Sequence, residues 1–106
     1  MFNREIVNIV KDYLHKLELN GIYISKAFIY GSQVKGTATE KSDIDLMLVS
    51  PMFDEDSDKY ASVIWFSASE VSYKIEPMTV GEKKFLTDDY SPLIGIVRHE
   101  GIEIAT

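Results

Sequence analysis

Asp43-Ile44-Asp45-Leu46 opens an apolar run ten residues after Gly31-Ser32, and it restricts the fold more than any other stretch of the chain. Alternate residues of a strand face the same way. A strand beginning at Asp43 therefore projects Asp43 and Asp45 from one face and Ile44, Leu46 and Leu48 from the other. Two parallel carboxylates repel one another, and a shared hard cation relieves that repulsion.

The chain has 106 residues, 45% of them hydrophobic and 11% aromatic, enough for one core and too few for two. A single domain over residues 1–106 is expected. The net charge of −6 argues against a general affinity for nucleic acid, because a phosphate backbone requires a positive footprint. A small basic pocket for one nucleotide is still compatible with that charge. With no cysteine, disulfides, thiolate catalysis and cysteine zinc sites are excluded, and a cytoplasmic setting is the natural reading. No signal peptide and no apolar run of about 20 residues is present, so a soluble protein is expected.

Apolar residues at Phe2, Ile6, Val10, Tyr13, Leu14 and Leu17 predict a helix with Arg4, Lys11, Lys16 and Glu18 wet, ended by Asn20-Gly21. Ala27 to Tyr30 reads as a strand, Gly31 to Thr39 as a turn or short helix with exposed N–H groups, and Asp43 to Val49 as the second strand. The acidic stretch Asp54-Glu55-Asp56-Ser57-Asp58 reads as a solvated loop, with Ser57 able to cap the helix after it. Lys59 to Ser69 suits a helix with Tyr60, Val63, Ile64 and Trp65 inward, although Val63 to Phe66 also suits a strand. Trp65 and Phe66 read as core. Val71 to Glu76 alternates, with Val71, Tyr73 and Ile75 on one side, and Pro77 ends this strand or marks an edge. Thr79 or Gly81 starts a short helix near Glu82 to Leu86. Ser91-Pro92 caps a last helix with Leu93, Ile94 and Val97 inward, closed by Gly101 and followed by a strand at Ile102 to Ile104. His15 and His99 fall on polar surfaces rather than among ligands.

Gly31-Ser32 and Asp43-Ile44-Asp45-Leu46 at this spacing, each at a strand boundary, resemble the signature of the DNA polymerase β nucleotidyltransferase superfamily. The order of elements extends the likeness to the minimal nucleotidyltransferases. The resemblance implies an α/β (α+β) nucleotidyltransferase fold, with a mixed sheet of about four strands flanked by helices.

Magnesium takes hard oxygen ligands and keeps several waters, so carboxylates together with substrate phosphates suit it. Asp43 and Asp45 would supply those ligands in a two-metal site, with ATP as nucleotide donor. Gly31 and Ser32 would offer backbone N–H groups and a hydroxyl to the β- and γ-phosphates, with Lys35 as the nearest cation. Gln33 stands where relatives commonly carry arginine. A third acid is needed to hold the second metal or to take the proton of the attacking hydroxyl. Glu76 is the candidate, facing away from the apolar side of its strand, and Glu70 is the alternative.

Three functions fit. The first is transfer of AMP from ATP to a hydroxyl of another macromolecule; the resemblance implies a tyrosine on a helical HEPN-type partner and an antitoxin role. The second is a non-catalytic partner-binding module of the same fold, and an oligomer is compatible with either. The third is a small-molecule adenylyltransferase of the aminoglycoside type. The catalytic core occupies all 106 residues, so an acceptor is expected to bring its own surface or a second subunit to complete the site, which disfavours the third.

Overall fold

The computed structural model describes residues 3–56 and 58–105. Phe2 and Ser57, read above as a core residue and a cap, lie outside the described residues. Helix α1 (Arg4–Leu19) begins where the Asn3 side chain accepts the Glu5 N–H at 2.8 Å, the N-cap bond that relieves an unpaired helix-end donor. Ile6, Val10, Tyr13, Leu14 and Leu17 are its buried stripe, as the spacing requires. Gly21, at φ 82°, carries the chain out of the helix.

Four strands follow: β1 (Lys26–Tyr30), β2 (Ile44–Ser50), β3 (Ile75–Gly81) and β4 (Ile102–Ile104). Their order in the sheet is β3, β2, β1, β4; β1 runs antiparallel to β2 and β4, whereas β2 and β3 are parallel. A parallel pair needs a crossover, and α3 (Ala61–Val71) lies within it, after single 3₁₀ turns at Pro51–Phe53 and Asp58–Tyr60. The mixed four-stranded sheet flanked by helices matches the fold class expected from the sequence.

Strand alternation divides the core. Ala27, Ile29, Ile44, Leu46, Leu48, Ile75 and Ile104 pack with α1 and α3. Phe28, Met47, Val49 and Val80 pack with Phe85 of α4 (Glu82–Thr87) and with Ile94 and Val97 of α5 (Pro92–Glu100). Phe28 and Phe85 stack with centroids 5.2 Å apart. The Ser91 hydroxyl caps α5 by accepting the Ile94 N–H at 3.3 Å.

Two sequence expectations change here. The strand placed at Val71 to Glu76 is instead Ile75–Gly81: Val71 ends α3 and Tyr73 is 86% exposed. Pro77 lies inside that strand, at the sheet edge. Ile44 N–H donates to Lys74 O at 2.7 Å, so in the parallel ladder residues 76 and 78 turn their N–H groups to β2 and Pro77 turns its nitrogen outward, where no donor is missed. Thr79 is accordingly still strand, and Gly81 is the residue before α4.

The second change concerns α3. Ile64, Ser67 and Ala68 are its buried residues, while Trp65 is 52% and Phe66 66% exposed. Small residues at 67 and 68 let α1 approach: Asn20 Nδ2 donates to Ser67 Oγ at 3.1 Å and the Tyr13 hydroxyl donates to Ile64 O at 2.9 Å. The face that meets α1 leaves Trp65 a little over a quarter-turn away and Phe66 nearly opposite.

Candidate active site

Asp45 occupies the middle of the site because β2 lies between β1 and β3. It pairs with Tyr30 across the antiparallel ladder and with Glu76 across the parallel one. Met47 and Val49, alternate with Asp45, belong to the core on the α4 and α5 side, so the carboxylate faces that same side beyond the end of the apolar packing. Glu76 shares this parity, since Ile75 is buried on the opposite face. Asp43 stands one residue ahead of β2, in an exposed position.

Asp45 and Glu76 both feel the charge of Asp43. Burial, then the charge of Asp43, raise the carboxyl of Asp45 above its ordinary value, while a hydrogen bond with Glu76 acts in the opposite direction. Glu76 is raised chiefly by Asp43, then by burial and by Asp45, and it is within hydrogen-bond reach of both aspartates. Such a bond between carboxyl groups requires a proton between them. No lysine or arginine among the described residues contributes an opposing pull on either group. The Tyr30 hydroxyl is raised by burial and then by Asp45 and Glu76, which places this ring beside the acids, a position the sequence reading did not consider.

Gly31 begins the next turn at φ 77°, a left-handed conformation that glycine adopts freely. A Cβ there would overlap Asp45 Oδ2, so position 31 needs glycine for space as well as for conformation. Ser32 then starts α2 (Ser32–Lys35), which ends at Gly36, also left-handed at φ 76°. Gln33 Nε2 donates to Asp43 O at 3.3 Å. The residue read above only as a replacement for arginine therefore ties α2 to the backbone of the first acid.

Lys35 is exposed at the far end of α2 and makes no ion pair among the described residues. Glu70 pairs with Lys16 at 3.5 Å on the α1 side of α3, which removes it as an alternative third acid. His15 and His99 are exposed. The acidic loop is more than solvated charge: Asp54 Oδ1 accepts the Lys83 N–H at 3.0 Å in the first turn of α4, and Asp56 Oδ1 accepts from Asp58 and Lys59.

Three carboxylates with no softer donor suit magnesium rather than zinc or copper. Among the described residues no group of three histidine, aspartate or glutamate side chains stands in an arrangement that could hold a metal by itself. Magnesium is ordinarily held by one or two carboxylates, waters and substrate phosphates rather than by an all-protein cage. Asp43 and Asp45, with Glu76 alongside, fit that kind of partial donor set.

The model of the family described as nucleotidyltransferase domain matches residues 5–101. Among solved structures, the fold resembles a crystal structure from Sulfolobus solfataricus described as a candidate nucleotidyltransferase, with TM-score 0.65 and 12% identity over 93% of this chain and 78% of that one. No curated protein matches the sequence. The family match spans both Gly31-Ser32 and the Asp43, Asp45 and Glu76 cluster, and the chain belongs to the nucleotidyltransferase-domain family.

Proposed function

We propose that the chain transfers AMP from ATP, with magnesium, onto a hydroxyl of a partner protein. The observation that carries this reading is the meeting of Asp45 with Gly31 on one side and Glu76 on the other, with Asp43 adjacent. The charge of Asp43 raises both Asp45 and Glu76, with no opposing pull from a lysine or arginine among the described residues, which favours a divalent ion arriving with the nucleotide.

Asp43 and Asp45 would hold magnesium, which supplies charge neutralisation of the triphosphate and of departing pyrophosphate. The N–H groups of the Gly31-Ser32 turn and the Ser32 hydroxyl bind the β- and γ-phosphates, glycine allowing close approach. Glu76 accepts the proton of the attacking hydroxyl, or completes the metal set, from the opposite edge of the sheet. Lys35, exposed at the end of the short α2, would offer a cation to the phosphates. The resemblance to minimal nucleotidyltransferases favours a helical HEPN-type protein as acceptor, a tyrosine as its modified residue and an antitoxin role in the cytoplasm.

A second reading, a partner-binding module without catalysis, is favoured by the exposed Trp65 and Phe66 on α3 and by the lack of a ready three-ligand arrangement among the described residues. Incubation with α-labelled ATP, magnesium and host lysate, beside Asp45→Asn, separates the two. Label appearing on a macromolecule only with the native chain supports transfer, and its mass identifies the acceptor. Label in neither sample, with magnesium-dependent ATP binding also absent, supports the binding module.

A further inference from the structure

Tyr30, the last residue of β1, completes the row of the sheet that carries the acids. It stands directly opposite Asp45, which in turn stands beside Glu76. Residues directly opposite one another on adjacent strands turn their side chains to the same face, so the phenol shares the face of the acids. Its ring is half-buried against the core that holds Phe28, Met47 and Phe85. The hydroxyl lies where Asp45 and Glu76 both act on it. The Tyr13 hydroxyl donates to Ile64 O, whereas that of Tyr30 has no partner among the described residues. None of their buried side-chain polar atoms is unpaired, so the Tyr30 hydroxyl opens to solvent beside the acids.

We propose that the Tyr30 hydroxyl is a catalytic hydrogen-bond donor to the oxygen that bridges the α- and β-phosphates and leaves with pyrophosphate. The inference rests on the transferase reading above. Tyr30 adjoins both Asp45, over which the reacting α-phosphorus lies, and Gly31-Ser32, which takes the β- and γ-phosphates. The junction between the α- and β-phosphates therefore falls beside the phenol. Donors are scarce there: no lysine or arginine among the described residues acts on Asp45 or Glu76, and Gln33 Nε2 is engaged by Asp43 O. A phenol supplies an O–H without a charge of its own.

As the acceptor oxygen bonds to the α-phosphorus, the bond from that phosphorus to the bridging oxygen breaks, and pyrophosphate leaves with the electron pair. The acceptor's proton passes to Glu76, and the phenol keeps its own. Charge gathers on the bridging oxygen only as its bond to the α-phosphorus breaks, so a donor aimed at it acts more strongly in the transition state than on bound ATP. Pyrophosphate carries that charge as a stable ion, and it reports the contact without any acceptor.

Calorimetric binding of three magnesium complexes to the native chain and to Tyr30→Phe tests the contact: pyrophosphate, ATP, and the ATP analogue with a methylene in place of the α,β-bridging oxygen. The variant keeps the ring and is expected to keep its melting temperature. It is expected to bind pyrophosphate about tenfold more weakly, on the scale of a lost hydrogen bond to a charged group, and ATP and the methylene analogue as the native chain does. With tyrosine labelled at Cζ, pyrophosphate is expected to move the NMR signal of Tyr30 in the native chain and to leave that of the buried Tyr13 in place, a measurement that needs no variant. Equal pyrophosphate affinity in the two chains, or a Tyr30 signal that pyrophosphate does not move, overturns the donor role while ATP binding stands. Equal weakening of all three complexes also overturns it, by assigning the ring to packing around Asp45. A native chain that binds neither ATP–magnesium nor magnesium pyrophosphate overturns the transferase reading, and the donor role with it.

Discussion

Gly31 and Asp45 stand so close that any side chain at position 31 would overlap the aspartate's Oδ2, so the turn after β1 and the central acid of β2 form one unit. Gly31→Ala adds a Cβ at that contact and must also hold φ near 77°. A loss of about 1–3 kcal/mol in stability is expected from backbone strain alone, together with a displaced Asp45 and weaker magnesium-dependent ATP binding. Thermal unfolding and nucleotide titration of the variant check both. Unchanged values in each would show that the turn does not depend on this contact.

The coupled acids give the apo protein a pH dependence with a defined sign. Asp45 and Glu76 have folded-state carboxyl values above their unfolded ones, so the folded chain binds more protons over that window. Stability is therefore fully present below the ordinary carboxylate range and falls as pH rises through the raised values. Asp45→Asn removes one of the repelling charges. It is expected to raise apo stability at neutral pH by on the order of 0.5 kcal/mol, the scale of solvent-screened charge pairs, and to flatten the pH profile. Magnesium with ATP should raise the native chain's melting temperature and not the variant's. A variant less stable than the native chain at neutral pH would contradict the repulsion.

Asp54 holds α4 from a distance: its carboxylate accepts the Lys83 N–H, and a Cβ at Gly81 would strike the same oxygen. Asp54→Ala is expected to cost about 1 kcal/mol, the usual loss of an N-terminal helix cap, and Asp54→Asn less, because it keeps an acceptor oxygen. Chemical denaturation of the three chains measures the difference. Equal stability of Asp54→Ala and the native chain would remove the capping role.

Features written into neighbouring residues are legible in the sequence. The stripe of α1 and the Ser91 cap depend on local spacing. The features that are not legible depend on distant partners. Trp65 and Phe66 lie on a helix that is apolar on several sides, so only the approach of α1 to Ser67 and Ala68 decides which side is buried. The extent of β3 through Pro77 is set by pairing with β2. The Asp54 bond to α4 spans 29 residues, and no pattern within the acidic loop announces it. At the site, the brace from Gln33 to Asp43 likewise exists only once α2 and β2 are side by side.

Trp65 is the one tryptophan in the chain and is 52% exposed, which makes the corrected face of α3 directly observable. Emission of the folded protein is expected to lie toward the wavelength of water-exposed indole and to be quenched readily by acrylamide. Trp65→Ser should change stability by no more than about 0.5 kcal/mol, as for an ordinary surface position. A blue, poorly quenched emission would return Trp65 to the core.

The central claim is that Asp43, Asp45 and Glu76 hold the metal–nucleotide complex, and manganese in place of magnesium tests it most directly. With ATP present, the paramagnetic ion is expected to broaden the NMR signals of Gly31, Asp43, Asp45 and Glu76 at substoichiometric concentration, and Asp45→Asn should abolish that local broadening. Broadening centred on another part of the chain, or unchanged by Asp45→Asn, would contradict the assignment.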